Sequence, residues 1–417
     1  MLYTESEILQ YIAENDVKFI KLFFTDIFGT IKSISIQPKE LERAFKTGIS
    51  FDASAVKGFL EVDKSDLFIV PDPSTLSVLP WRPQHGRVVR FFCNIRYVDG
   101  TPFEGDMRYI LQNVVGQSRK TGYDIKIGTE CEFYLFQTDE KGDPTLIPHD
   151  NAGYCDLAPR DKGENIRRDI CLTLEQMGIQ PESSHHETGP GQHEVDFKYN
   201  FPLQAADNLG TFKTVVKTVA ARNGLYASFL PKPLAGKAGS GLHINLSLEK
   251  NGKNIFSDDE LPPEAESFMA GILYRIREIT AFLNPLKSSY DRFGSFEAPL
   301  YVSWSSLNRS QLIRLPAAEK ERRRMELRSP DPSCNQYAAL ALIISAGFEG
   351  IKEKRPLPPA LDMNMFKARP VEIQGVEMLP KTFTEALKLT EASSFVKTVL
   401  PEVTVNAFVD AGGEADE

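Results

Sequence analysis

Two nucleotide-binding signatures are missing from this 417-residue chain: it has no Gly-rich GxxxxGK[ST] cradle and no protein-kinase signature set. A nucleotide enzyme built on it must hold a triphosphate through metal ions and cationic side chains. Cysteine is sparse. The five (Cys93, Cys131, Cys155, Cys171, Cys334) are odd in number and scattered, with no CxxC pair, which argues against a disulfide framework and for reduced thiols. Basic blocks of the kind that track phosphates are absent and the formal charge is −9, against a nucleic-acid partner. The one basic run, Arg322-Arg-Arg324, has Glu319, Glu321 and Glu326 around it and reads as a charged loop. The longest apolar stretch, Ala338 to Phe348, is too short for a bilayer and reads as a buried helix. The N-terminus lacks the basic and apolar regions of a signal peptide. These absences predict a cytoplasmic protein with no membrane and no nucleic-acid partner.

What remains is ordinary globular usage, 41% hydrophobic and 25% charged, in a chain long enough for two domains. Val17 to Phe24 and Ile31 to Ile36 read as a hairpin around Gly29, followed by a helix from Pro38 to Lys46. Leu67 to Val70 and Val88 to Tyr97 read as a second strand pair. The Pro- and Gly-bearing stretch Val98 to Asp106 is the expected junction, giving domains 1–103 and 104–417. Beyond it, helices at Met107 to Thr121, Asn165 to Met177, Ala206 to Asn223 and Pro263 to Leu283 alternate with strands. Helices at Ala338 to Gly350 and Lys381 to Val399 follow, and the end from Gly412 reads as a frayed tail. The expected class is α+β, with a small β-rich N-terminal domain and a larger domain around a curved antiparallel sheet.

The chemistry concentrates on strand faces. In Asp124 to Phe136, period-2 alternation sets Ile125, Ile127, Cys131, Phe133 and Leu135 on one side and Glu130 with Glu132 on the other, roughly 6 to 7 Å apart. Leu242 to Leu248 lines His243, Asn245 and Ser247 on one face, and Arg324 to Arg328 repeats the pattern with Glu326 and Arg328. Glu187 and Glu194 complete the set. One Glu-x-Glu alone reads as solvated acids on an open sheet face. Five carboxylates and an imidazole in phase point instead to hard divalent cations, Mg²⁺ or Mn²⁺, because crowded carboxylates need a cation or a proton between them. Arg292, Arg309, Arg314 and Arg328 flank these strands and offer fixed forks of donors for carboxylates and phosphates. Metals plus arginines are what phosphoryl transfer requires.

The ordered motifs Phe51-Asp-Ala-Ser-Ala55, Glu130-Cys-Glu132, Ser184-His-His-Glu-Thr-Gly-Pro-Gly-Gln-His-Glu194, Lys232-Pro-Leu234, Gly239-Ser-Gly-Leu-His-Ile-Asn-Leu-Ser247, Glu297-Ala-Pro299, Asn308-Arg-Ser310 and Glu326-Leu-Arg-Ser-Pro-Asp-Pro332 resemble class I (bacterial-type) glutamine synthetase over about residues 15 to 400. The resemblance implies a β-grasp-like N-terminal domain and homo-oligomers of six-membered rings, usually two stacked, with active sites between subunits. It implies that Glu132, Glu187 and Glu194 hold one metal ion and Glu130, His243 and Glu326 a second. Arg292, Arg328 and Gly239 would bind glutamate, while Arg309 and Arg314 steady the transferring phosphoryl group. Asn245, Ser247 and Tyr199 would face ATP. Asp52 of a neighbouring subunit would bind ammonium and take its proton, with Asp66 and Tyr154 near that pocket. Glu297 would ride on a mobile flap.

Departures from the family pattern cluster around the amine. The usual Asp-Gly-Ser-Ser is Asp52-Ala-Ser-Ala55, the usual Asn-Gly-Ser-Gly is Ala238-Gly-Ser-Gly241, and Arg292 to Glu297 is one residue shorter. Ser-Arg-Gly beside the nucleotide reads Ala318-Glu319-Lys320, and Phe366 stands where some relatives carry an adenylylated Tyr. Relatives also continue into a terminal helical strap, which leads to the expectation of a ring that persists and a double ring that is weakened. The leading reading is ATP-dependent glutamine synthesis from glutamate and ammonium. The alternatives are a γ-glutamyl ligase acting on an organic amine and a non-catalytic ring-forming homologue.

Overall fold

The computed structural model describes residues 3–258 and 260–412; of the expected tail, residues 413–417 lie outside the described residues. The N-terminal unit runs α1 (Glu5–Glu14), β1 (Val17–Thr25), β2 (Ile31–Ile36), α2 (Leu41–Thr47), β3 (Ile49–Asp52), β4 (Asp66–Pro71), β5 (Ser77–Val78) and β6 (Arg87–Arg96). Its sheet has the order β2-β1-β6-β4-β3, with β5 on β6; β1 and β6 run parallel and the other pairs antiparallel. The β1–β2 hairpin closes because the Asp26 carboxylate accepts the N–H groups of Phe28 and Thr30 while Gly29 turns at φ 86°. Leu41, Ala44 and Phe45 of α2 bury against Ile20, Leu22, Leu67 and Phe91, making the β-grasp-like unit expected. Two helices escaped the sequence reading. One is α1, which Thr4 and Glu7 close with a reciprocal capping box.

The larger unit contains α3 (Met107–Lys120), β7 (Tyr123–Thr138), β8 (Pro144–Pro148), α4 (Glu164–Gln176), β9 (Pro181–His186), β10 (Gln192–Phe197), α5 (Pro202–Arg222), β11 (Leu225–Ser228), β12 (Leu242–Lys250), β13 (Lys253–Asn254), α6 (Pro263–Leu283), β14 (Trp304–Ser306), β15 (Ile313–Leu315), β16 (Met325–Leu327), α7 (Gln336–Glu353), α8 (Phe383–Ala392), α9 (Ser394–Val399) and α10 (Glu402–Asp410). Its sheet is ordered β14-β15-β16-β12-β7-β10-β9, and only β14 with β15 is parallel. Tyr123, Ile125, Ile127, Cys131, Phe133 and Leu135 of β7 face the helices and are buried with Phe212, Val216, Phe268 and Leu340, so Glu130 and Glu132 between them face away from that core. One helix expected from Lys381 to Val399 is two. Ser393 leaves helical geometry at ψ 114° because its hydroxyl accepts Val396 N–H as the cap of α9 and donates to the Glu278 carboxylate. The second helix missed is α10.

Polar bonds tie the two units. Buried Arg108 at the start of α3 donates to Asp207 of α5 at 2.9 and 3.1 Å, to Asp72 at 2.8 Å and to Asn94 at 2.8 Å. Asn335, which caps α7, also donates to the carbonyls of Asp26 and Ile27 in the first hairpin.

Candidate active site

Sheet register alone lines up the acidic face. Across β16, β12, β7, β10 and β9, Asn245 opposes Glu326, His243 opposes Glu130, and Glu130 opposes Asp196. One step along, Glu132 opposes Glu194, which opposes His185. Opposed residues on one face stand about 5 Å apart, so a row of acids is unavoidable once this register forms.

The side chains gather into overlapping groups. Glu130, His243 and Glu326 bring ligand atoms within 4.8 Å of one another, as do Glu132, Glu194 and His243. Glu187 joins Glu194 through His185, whose ring nitrogens lie 3.4 Å from Glu187 and 3.3 Å from Glu194. The structure therefore brings Glu130, His243 and Glu326 together and spreads Glu132, Glu187 and Glu194 over two groups that share Glu194.

The charges at the two ends differ. Burial, reinforced by the charge of Glu187, raises Glu132 to about 7. Burial and the neighbouring acids Glu132 and Asp196 push Glu194 well above the usual carboxylate range. Glu130 goes the other way. Burial opposes its ionisation, but hydrogen bonds from His243 and from Asn245 at 2.8 Å outweigh burial and hold it at about 2. At Glu326 burial is likewise overcome, by Arg328 at 2.5 Å and by His243; Arg314 adds an ion pair at 2.8 Å. An oxygen-rich set in which protons already substitute for missing positive charge fits a hard divalent cation.

Two cavities meet at Glu130. One of about 640 Å³ is lined by Glu132, Tyr154, Glu187, Glu194, Gly239, His243, Arg292, Glu297, Arg309 and Arg328 among others. Arg292 is buried there and donates to the Ser329 carbonyl at 3.1 Å, while its Nε and that of Arg328 have no partner. The other cavity, about 1200 Å³, is lined by Tyr199, Asn245 and Ser247. Arg314 lines neither cavity, being bonded to Glu326 and the Leu307 carbonyl. Asp52 and Asp66 oppose each other across β3 and β4, both exposed, and neither lines either of these two cavities. The extra methyl of Ala53 points into the N-terminal core and is fully buried, so it does not reshape an exposed pocket.

Sequence reasoning passed over His185, Asp196 and Arg324. All three were detectable by phase. His185 precedes Glu187 by two, Asp196 follows Glu194 by two, and Arg324 precedes Glu326 by two. Arg324 donates to Asn245 at 2.8 Å and lines the larger cavity with Arg322 and Arg323, so the basic run is more than a solvated loop.

This architecture agrees with the comparisons. The family model described as glutamine synthetase, catalytic domain, matches residues 104–414, and that of the glutamine synthetase beta-Grasp domain matches residues 16–97. The chain belongs to the glutamine synthetase family. Glutamine synthetase of Clostridium saccharobutylicum is 45% identical, with 100% of this chain and 95% of that protein covered. That of Methanosarcina mazei is 46% identical over 96% of this chain and 91% of that protein. Among solved structures, a GmaS/ADP complex superposes with TM-score 0.88 at 28% identity, over 99% of this chain and 95% of the other. A cryo-EM structure of Plasmodium falciparum glutamine synthetase gives 0.87 at 26% identity, over 98% and 95%. The N-terminal domain is thus a β-grasp and the larger one a glutamine synthetase catalytic domain. Among the described residues no helix is long and apolar enough to cross a membrane, and all five cysteines are free thiols.

Proposed function

We propose that this chain is a class I glutamine synthetase, a cytoplasmic ligase that joins glutamate and ammonium at the expense of ATP. The observation that carries the reading is the pair of cavities meeting at Glu130, one rimmed by acids and arginines and the other by Tyr199, Asn245 and Ser247. ATP occupies the larger cavity with its phosphates toward Glu130, His243 and Glu326. Glutamate occupies the smaller one, its carboxylates against Arg292 and Arg328 and its amine near the Gly239 backbone. Glu130, His243 and Glu326, and Glu132, Glu187 and Glu194, would hold Mg²⁺ or Mn²⁺, which would supply charge neutralisation for phosphoryl transfer.

The γ-carboxylate of glutamate attacks the terminal phosphorus and ADP leaves, giving γ-glutamyl phosphate. Arg309, and Arg314 once it turns from Glu326, stabilise charge on the transferring group. Ammonium loses a proton to Asp52, and the resulting ammonia bonds to the acyl carbon; the carbon–oxygen bond to phosphate breaks, the second nitrogen proton passes to phosphate or solvent, and glutamine is left. Exposure of Asp52 and Asp66 away from this chain's own cavity supports their supplying the site of a neighbouring subunit, beside Tyr154, in a six-membered ring, single or stacked. Glu297 closes over the intermediate.

The test is phosphate release that depends on glutamate, with Mg²⁺ and ATP, comparing ammonium with a panel of primary amines and identifying products by mass. Turnover with ammonium yielding glutamine is expected. A second reading, a γ-glutamyl ligase for an organic amine, is favoured by the shortened flap and would be revealed by preference for one of the amines.

A further inference from the structure

The flap Arg292 to Glu297 and the loop Pro231 to Ala238 face each other at the smaller cavity, which Phe296, Glu297 and Ala238 all line. The flap's internal bonds are few. Gly294 N–H donates to Ala298 O at 2.9 Å, Ala298 N–H to Ser295 O at 3.0 Å, and Ser295 N–H to Arg292 O at 3.3 Å. Phe296 and Glu297 both take left-handed backbone, at φ 48° and 68°, a conformation that side chains disfavour unless surroundings hold it. Glu297 is too loosely held to do so: its carboxylate is 62% exposed and 3.7 Å from Arg328.

At its base the flap is also held by Ser295 Oγ donating to Arg292 O at 3.1 Å and by Phe293 packed on Tyr290, while at Phe296 a contact comes from the opposite loop. The Lys232 ammonium sits 4.8 Å from the centroid of the Phe296 ring and donates to the carbonyl of Lys237 in its own loop. The first contact is a cation–π pair between loop and flap, and the second fixes where the cation stands. Ala238, the loop residue at the cavity, has no polar side chain to share the task.

We infer that Lys232 is the latch of the flap: a positioning residue that, through the Phe296 ring, holds Glu297 over the cavity. The consequence for chemistry rests on the proposed ligase reading. With the latch lost, water reaches γ-glutamyl phosphate, its oxygen bonds to the acyl carbon, and the carbon–oxygen bond to phosphate breaks. Glutamate and phosphate leave, and the water's proton passes to solvent, so ATP is consumed without glutamine.

Two measurements on full-length protein decide it, using Lys232→Met, Phe296→Leu and the conservative Lys232→Arg. Amide hydrogen exchange at Gly294, Ser295 and Ala298 of the resting protein should be about two- to five-fold faster in Lys232→Met and Phe296→Leu and restored in Lys232→Arg. Unchanged exchange in both would overturn the latch whatever the activity. In turnover, phosphate released per glutamine formed should rise above one in Lys232→Met and return to one in Lys232→Arg. Unaltered coupling would overturn the role in excluding water. Absence of turnover in the unsubstituted protein would sink the ligase reading, while the exchange result would still decide the latch.

Discussion

At the scale of single residues, Glu132 reports how the site is balanced. Its carboxyl is raised from 4.5 to about 7 by burial and then by Glu187, so the folded metal-free chain holds this proton more tightly than the unfolded chain does. The resulting stability is fully present below the unfolded value and is lost as pH rises through about 7. A metal ion must displace the same proton. Mn²⁺ affinity by calorimetry should therefore strengthen roughly fivefold between pH 6 and 7 and rise further above pH 7, since Glu194 is also held protonated. Thermal stabilisation by Mn²⁺ should be larger at pH 8 than at pH 6. Glu132→Gln keeps an acceptor for Gln192 and for Gly241 N–H, both 2.9 Å from one carboxylate oxygen, and removes the repulsion. It should raise the melting temperature of the metal-free protein at pH 8 by about 2 °C and lower turnover on the order of 100-fold.

Among the elements, the turn ahead of β12 sets the glutamate pocket more tightly than its sequence suggests. A Cβ on Gly239 would stand 2.4 Å from the Pro231 carbonyl oxygen and 2.5 Å from Arg292 Cγ. One clash is with rigid backbone and the other with the buried arginine proposed to bind glutamate. Gly239→Ala should therefore raise KM for glutamate by about tenfold or more, with KM for ATP little changed, in initial-rate kinetics varying each substrate. Equal rises in both would mean that the turn supports the fold and not one pocket.

For the whole molecule, Arg108 and the proposed ring make separable predictions. Removing Arg108 leaves Asp207, which also accepts from Tyr337 Oη at 2.6 Å, as a buried acid without its cation. Arg108→Met should cost roughly 3–5 kcal/mol in denaturant unfolding, while Asp72→Asn, at the better-solvated end of the network, should cost less. Shared sites predict complementation. Subunits carrying Asp52→Asn and subunits carrying Glu326→Gln should each be inactive alone. Co-assembled in equal amounts they should recover about one quarter of full activity, since a site needs an intact residue from each of two neighbours. No recovery would assign Asp52 to its own chain's site.

The sequence by itself determined which residues share a face. Strand periodicity is local, so Glu130 with Glu132, His243 with Asn245 and Ser247, and Glu326 with Arg328 were legible without any fold, as were the first hairpin and helix α6. The break at Ser393 was less so, because a cap bond and a contact with Glu278 decide it. Only the tertiary structure decided which strands lie side by side, and hence that Glu194 is shared among three clusters, that His185 and Asp196 enter two of them, and that Arg314 rests on Glu326. It also decided the proton balance between Glu132 and Glu130. Burial and neighbouring charge belong to the packed sheet, and no spacing along one chain encodes the dielectric around a side chain.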